Sequence, residues 1–448
     1  MKVAYVVSRF PHVTETFILR ELDAVDRDPR IEIELLSLFP PVDPTVHPAA
    51  RRWTEHLHRP RARDCVAALA WWGVRRPLRL LSSAAIVAAS SLRRPSIMAR
   101  SLVTLPIAAA HARRLGQLGI EHVHAHYATY PALAAWLCHR LAGVPYSFTV
   151  HAHDIFVHQD LLARKLGEAR FVVAISDYNR RFLEPYGGDV QTPVHVVHCG
   201  IDPAAFEFRP RVAAPAGPVR AICVASLQEY KGHAVLLRAL ARGGERLERV
   251  ELDLVGDGVL RPSLERLARE LGIAERVRFH GSRTEPQVRE LLEAADVFVL
   301  PSVVARDGQM EGLPVALMEA LASGLFVVST RLSGIPELVR DGVTGALAEP
   351  GSDESLAGAL ERALAGSSEQ AARAGRRVVE EEFDVHANGV RLAELLAGGI
   401  EQTSSAVTGA SPALTGADSG SADASSPPRH PRSRRGRRRR VDSRRGDA

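Results

Sequence analysis

Short apolar runs alternate with segments whose apolar residues recur every three or four positions, and this alternation covers most of the 448 residues. Val3-Ala4-Tyr5-Val6-Val7 is a run suited to a strand buried on both faces. After the polar loop Ser8 to His12, Thr14 is placed to cap a helix whose Phe17, Ile18 and Leu22 share one face. Ile31 to Leu38 alternates as a second strand, so the chain opens as a βαβ unit. Further strands are expected at 121–126, 146–151, 171–175 and 194–198, with helices between them. Residues 207–218 are proline-rich without periodicity and read as a linker. The second alternation predicts strands at 219–225, 250–255, 276–280, 296–300 and 325–329. Its helices are expected at 232–242, 260–271, 285–294, 314–323 and 335–340. The fold class is α/β: two doubly wound Rossmann-like domains, 1–206 and 219–375, then C-terminal helices over 376–399. Residues 400–448, Ser/Ala/Gly/Pro-rich and then Arg-rich, are expected to be disordered.

Residues 60–118 interrupt the pattern. They are rich in alanine and leucine and studded with Arg75, Arg76, Arg79, Arg93, Arg94, Arg100, Arg113 and Arg114. Two or three amphipathic helices are expected there, with Trp71 and Trp72 near the start as an interfacial anchor if the helices meet a membrane. They would either pack on the sheet with snorkelling arginines or lie on an anionic membrane surface. The longest uncharged apolar-leaning stretch in this region, Leu80 to Leu92, is 13 residues, against about 20 for a spanning helix. Met1-Lys2 precedes only five apolar residues, unlike a secretory leader. Four cysteines without a CxxC spacing argue against a disulfide scaffold or a cysteine zinc site and suit a reducing cytosol.

The net charge of +5 belongs to the last 49 residues, where ten arginines face five acidic residues (10 − 5 = +5), so the body is near neutral. A basic body for coating nucleic acid is therefore not expected; only the tail could serve. The chain has only three lysines, Lys2, Lys165 and Lys231. Lys231-Gly232 opens a helix after Ser226-Leu227-Gln228-Glu229-Tyr230, which makes it a candidate phosphate cation.

The strongest constellation follows the apolar strand 296–300: Pro301-Ser302, then Glu311-Gly312-Leu313-Pro314-Val315 leading to Glu319. Open α/β sheets hold ligands beyond the carboxyl ends of their strands, and Pro314 suits a first helical turn. Backbone amides around Gly312 to Val315 would favour a diphosphate. Two flanking glutamates suit sugar or ribose hydroxyls, and helical side chains lean back toward the start, so Glu319 can reach the site. Gly256-Asp257-Gly258 is a tight strand-to-helix turn, open to a nucleoside reading or a plain turn. His151-Ala152-His153-Asp154 ends a strand in the first domain and places His151 at a cleft. His122, His124 and His126 share one strand face, where packing or cleft-lining is expected rather than metal. Asp26-Arg27-Asp28 matches a DxD metal pattern only by letters and reads as a surface turn.

Over about 1–398 these residues resemble family 4 glycosyltransferases, retaining enzymes of the GT-B fold that use nucleotide sugars. Glu311 to Glu319 matches the Glu-x7-Glu element, and Ser333-Gly-Ile-Pro-Glu-Leu-Val339 and Asp341-Gly-Val-Thr-Gly345 match as well. His198-Cys-Gly-Ile-Asp202 resembles the stretch that ends the first domain. Thr14-Glu-Thr-Phe-Ile18 and the insert Val303 to Met310 look like the exopolysaccharide branch, which includes colanic acid and amylovoran enzymes. The resemblance implies donor contacts at Ser226, Lys231, Gly256, Ser302, Gly312, Leu313 and Pro314, and ribose hydroxyls on Glu319. Glu311 would hold the donor sugar, His151 would lie near the reacting centre, and Arg9, Thr14 and Glu15 would face the acceptor. Two departures stand out: Ser226 sits where many relatives carry arginine, and Ser8 to Pro11 replaces a Gly-Gly loop.

The resulting expectation is transfer of a sugar from a nucleotide diphosphate sugar to a saccharide or lipid-linked acceptor. No cofactor or metal is expected, and the location is cytoplasmic, at the inner face of the plasma membrane if the basic elements bind it. Alternatives are a nucleotide-sugar epimerase of the same fold, or a non-catalytic nucleic-acid binder acting through the tail.

Overall fold

The computed structural model describes residues 1–11, 16–41, 48–91, 94–187, 192–211, 217–366 and 368–398. Thr14, Glu15, part of the expected linker and the Arg-rich tail lie outside the described residues.

The first half begins with strand β1 (Lys2–Arg9), helix α1 (Thr16–Val25), β2 (Glu32–Phe39) and the two-residue β3 (Leu57–His58). Three helices follow: α2 (Ala62–Arg75), α3 (Pro77–Ser91) and α4 (Pro95–Leu118). Then come β4 (His122–His126), α5 (Tyr130–Ala142), β5 (Tyr146–Val150), α6 (His153–Phe156) and α7 (Leu162–Glu168). The half closes with β6 (Phe171–Ala174), α8 (Asp177–Gly187) and β7 (Val194–Val196).

The second half runs β8 (Val219–Val224), α9 (His233–Arg242), α10 (Glu245–Glu248), β9 (Val250–Val255), α11 (Arg261–Glu270) and β10 (Val277–Gly281). It continues with α12 (Glu285–Glu293), β11 (Val297–Val299), α13 (Val315–Ala322), β12 (Phe326–Thr330), α14 (Ile335–Leu338) and β13 (Gly345–Ala348). Helices α15 (Asp353–Gly366), α16 (Glu369–Glu382) and α17 (Val385–Ala397) end it.

The two sheets are parallel throughout, in the orders β3-β2-β1-β4-β5-β6-β7 and β10-β9-β8-β11-β12-β13. Each order reverses beside its first strand, β1/β4 in one sheet and β8/β11 in the other, and such a switch point opens a crevice at the carboxyl ends. The apolar run of β1 is covered on both faces. Ala4 and Val6 enter a core with α2–α5, while Val3, Tyr5 and Val7 enter one with α1 and α17.

Helix α17 is the topological surprise. It follows the second half in sequence, yet its Leu392, Ala393, Leu395 and Leu396 share the core of α1 and β1. Gly389 makes this possible, because a Cβ there would stand 2.5 Å from that of Ala24. Helix α16 also crosses residue 376, where the C-terminal helices were expected to begin. Residues 1–401 form one compact unit.

Helices α2–α4 satisfy the expectation for 60–118, with one correction. Trp72 is not an interfacial side chain: it is buried, and its Nε1 donates to the Ala109 carbonyl (3.0 Å). Trp71 packs edge-on against Trp72 beneath the guanidiniums of Arg75 and Arg113. Instead, among the described residues this region leaves Val66, Val74, Leu78 and Leu81 of α2 and α3 exposed, Val74 by 84% and Leu78 by 81%, with Leu102 and Val103 of α4 exposed to a lesser degree. Among the described residues no helix is long and apolar enough to cross a membrane.

Candidate active site

In the second half the carboxyl ends of β8 and β11 converge. A single 3-10 turn, Glu229–Lys231, leads to Gly232, whose left-handed φ of 74° and overlap of any Cβ with the Pro301 carbonyl require glycine. This turn brings Lys231 against Glu311, and ammonium and carboxylate form an ion pair with both side chains 14% exposed. Burial works to lower the lysine pKa, but Glu311 and Tyr230 outweigh it and the net direction is up. Lys231 is therefore a fixed cation, and the motif's first glutamate is its protein partner.

Helix α13 begins one residue later than expected. Pro314 is its extended N-cap and, lacking an N–H, donates nothing. The Leu317 amide bonds back to the Pro314 carbonyl (3.1 Å), and among the described residues the amides of Val315 and Ala316 are left as the free donors of a helix start. Leu313 is buried, so only its backbone can face a ligand. Ser302 departs from expectation: it is fully buried, its Oγ is unpaired, and its carbonyl accepts from Thr330 Oγ1 (2.6 Å). Its side chain is thus inside the sheet edge and off the cleft surface. Ser226, half-buried, does follow β8 at the switch point. Gly256 has a steric duty: a Cβ there would overlap the Ala225 carbonyl, which accounts for the turn by close approach.

Glu319 is also engaged. Arg20 of α1 reaches its carboxylate across the two halves (3.2 Å) and lies 3.7 Å from Glu285. Burial raises the Glu319 pKa, and Arg20 opposes that shift. A second bond between the halves comes from Glu337, whose carboxylate accepts from the amides of Asp177 and Tyr178 at the start of α8 (2.8 Å each). Neither Arg20 nor Glu337 was assigned a role from sequence, because their partners lie 299 and 160 positions away.

The first half contributes His151, at the end of β5. Its amide donates to Asp154 (3.1 Å), its carbonyl accepts from Asn179, and its ring lies against Phe17 and Tyr127. Burial, with His126 beside it, holds its pKa well below the usual histidine value, so the ring is neutral. Gly312 makes the contact between halves: a Cβ there would sit 3.2 Å from those of Ala152 and 3.3 Å from the His151 carbonyl oxygen. His151 and the Glu311–Gly312 loop thus face each other directly. Met310, ending the insert, packs against the cores of both halves. Cys199 lies half-buried nearby, its thiol pushed up to about 12 by desolvation and the charges of Glu21 and Glu311. Arg9 ends β1 at the same rim but spends its guanidinium on the Pro40 carbonyl and the Phe39 ring.

His122, His124 and His126 do share a buried face. His124 is held by Ser147 Oγ (2.8 Å) and Thr149 Oγ1 (3.0 Å), and His126 by Glu21 (2.9 Å). Glu21, His124 and His126 bring ligand-type atoms within 4.8 Å of one another, but hydroxyls and the carboxylate already satisfy the ring nitrogens that approach. The four cysteines are all free.

Comparison with known proteins places this geometry. The description "Glycosyl transferases group 1" matches residues 205–378, and "Glycosyltransferase Family 4" matches residues 50–205. An amylovoran biosynthesis glycosyltransferase of Erwinia amylovora is 30% identical over 418 residues, covering 88% of this chain and 99% of the relative. A putative colanic acid biosynthesis glycosyltransferase of Escherichia coli is 30% identical over 421 residues, with the same coverage. The crystal structure of Anabaena HepE with UDP and glucose superposes with a TM-score of 0.63 at 18% identity, covering 89% of this chain and all (100%) of that one. Two parallel Rossmann-like sheets, the Glu311–Glu319 element at the switch point and full-length kinship lead to one assignment: the chain belongs to glycosyltransferase family 4 and is a glycosyltransferase of the GT-B fold.

Proposed function

We propose that the enzyme transfers a sugar, with retention, from a nucleotide diphosphate sugar to a saccharide or lipid-linked acceptor in exopolysaccharide synthesis. The observation that carries this reading is the Lys231–Glu311 pair beside free α13 amides, opposite His151. In this reading Lys231 and the amides of Gly312, Leu313 and Val315 meet the charge that develops on the departing diphosphate, a preorganised electrostatic contribution. Glu311 turns from Lys231 to the donor sugar when phosphates arrive to compete for the ammonium. Glu319, shared with Arg20, accepts from the ribose hydroxyls, and the neutral His151 contacts the sugar near the bond that breaks. Charge neutralisation by Lys231 and the helix start makes a metal unnecessary. Support for the donor class and pathway comes from the amylovoran and colanic acid names of the full-length relatives and the UDP held by the structural neighbour.

The same reading puts the enzyme at the cytoplasmic face of a membrane. Exposed Val66, Val74, Leu78 and Leu81 lie among Arg63, Arg75, Arg76 and Arg79, also exposed, on α2 and α3. Apolar side chains ringed by arginine suit an anionic lipid surface that presents the acceptor.

A thermal-shift screen against UDP- and GDP-sugars, followed by NMR of the product's anomeric configuration, tests the proposal. One nucleotide sugar should stabilise the protein, and transfer should retain configuration and persist in a chelator. No stabilisation by any of them, or an inverted product, would overturn it.

A further inference from the structure

The buried face of β4 holds more polar chemistry than packing requires. Glu21 of α1 projects onto this face, and its Oε1 lies 2.9 Å from Nε2 of the fully buried His126. Nδ1 of the same ring lies 3.3 Å from Nε2 of His151. The three groups form one chain, carboxylate to imidazole to imidazole, ending on the residue that faces the Glu311–Gly312 loop.

Hydrogen-bond polarity along this chain is determined from its carboxylate end. An ionised carboxylate only accepts, so the proton on His126 sits at Nε2. With its proton at Nε2, His126 offers Nδ1 as an acceptor, and the donor to it is the Nε2–H of His151. Nδ1 of His151 is left as a lone pair. Among the described residues that atom has no protein partner, and it is not one of the sealed, unpaired atoms, so it remains accessible. The ring cannot swing away: Phe17 and Tyr127 hold its faces at centroid distances of 4.9 and 4.7 Å, and Asp154 and Asn179 anchor its backbone.

We propose that Glu21 and His126 are positioning residues that hold His151 in its Nε2-protonated tautomer, presenting Nδ1 as a hydrogen-bond acceptor to a hydroxyl of the donor sugar. This rests on the reading that places His151 at the donor sugar. An acceptor nitrogen selects a hydroxyl oriented to donate, and it holds that hydroxyl without adding positive charge beside the sugar carbon that becomes electron-poor. Carboxylate–histidine pairs elsewhere set ring orientation in the same way, and losing such an outer partner costs about 10- to 100-fold in activity.

Long-range 1H–15N correlation NMR on the full chain labelled with 15N-histidine reads the tautomer directly, with His151 assigned by its loss in His151→Gln. In the wild type His151 should show the Nε2–H pattern. Glu21→Gln, whose amide oxygen still accepts from His126, should keep that pattern. Glu21→Leu and His126→Phe should lose it and lower turnover of whichever nucleotide sugar the screen selects by about 10- to 100-fold, with UDP and GDP affinities unchanged. Glu21 is on the margin of the core, so Glu21→Leu remains informative if His126→Phe fails to fold. An Nδ1–H tautomer in the wild type, or a tautomer unmoved in Glu21→Leu, overturns the proposal. The expected tautomer pattern in a protein that turns over no nucleotide sugar would uphold the relay and sink the functional reading instead.

Discussion

At the scale of single residues, the motif side chains are engaged with one another. Lys231 and Glu311 satisfy each other, so Lys231→Ala removes the proposed phosphate cation and also strands a largely buried carboxylate. Substitution to alanine is therefore expected to lower the melting temperature as well as turnover. The double variant Lys231→Met/Glu311→Gln should recover most of the melting temperature but not the activity. Its turnover should stay down by about 10²-fold, the usual cost of losing one preorganised donor, and near-normal turnover would mean another cation holds the phosphates. Glu319 gives a second test. Glu319→Ala should weaken UDP or GDP binding by about 1–3 kcal/mol, the range for a charged hydrogen bond. Arg20→Ala, which frees the same carboxylate from its ion pair, should leave that affinity unchanged or tighter. Titration calorimetry with both diphosphates checks it, and an unaltered affinity in Glu319→Ala removes the ribose assignment.

At the scale of elements, helices α2 and α3 decide whether this enzyme meets a membrane. Trp72 belongs to the core, so the salt-resistant part of any lipid binding must come from the aliphatic residues of the exposed face. Val74→Asp/Leu78→Asp is expected to abolish vesicle binding that persists at high salt, because both positions are open and neither packs the core. Removing residues 402–448 should take away only a salt-sensitive component, since polybasic attraction is screened within a Debye length. Cosedimentation with phosphatidylglycerol vesicles at low and high salt separates the two. Full retention of salt-resistant binding in the double variant would leave α2 and α3 as helices packed on the sheet and nothing more.

At the scale of the whole molecule, buried histidines predict acid lability. Burial holds His111, His122 and His233 down to about 4, 3 and 4, against 6.5 for a free ring. As pH falls below 6.5 the unfolded chain takes up these protons and the folded one does not. The stability they contribute is complete above that value and is lost as pH falls toward 4. Asp154 acts in the opposite sense. Burial pushes its carboxyl up to about 6 from 3.8, so its cost to the fold is present above about 6 and disappears as the pH falls below its unfolded value. Glu319, also raised by burial, sides with Asp154, while His124 and His151, also held down by burial, side with the other three rings; each group is worth up to about 1.4 kcal/mol per pH unit in its window. The melting temperature should therefore drop steadily between pH 7 and 4.5 in calorimetric scans, and a flat profile would contradict the neutral, buried state of these rings.

Periodicity along the chain determined most of the architecture, because a parallel strand buried on both faces must be a short apolar run, and an amphipathic helix must repeat near 3.6. Thus β8 to β12 and helices α9 and α11 to α14 fall within a residue or two of expectation, and Lys231 and the Glu311–Glu319 element lie beyond strands β8 and β11 at the switch point. Short elements escaped: two-residue β3 and the Gly-Ala-Leu-Ala strand β13 carry too few positions to express a period. Tertiary structure alone decided which side chains meet. The folded chain placed α17 against α1, Arg20 on Glu319, Glu337 on α8 and Glu21 behind His151. It also turned Ser302 inward and Trp72 into the core. Those outcomes depend on how two independently patterned halves dock. A carboxylate's partner is set by spatial reach and by the need of every buried charge for a counterpart, and neither leaves a period in the sequence.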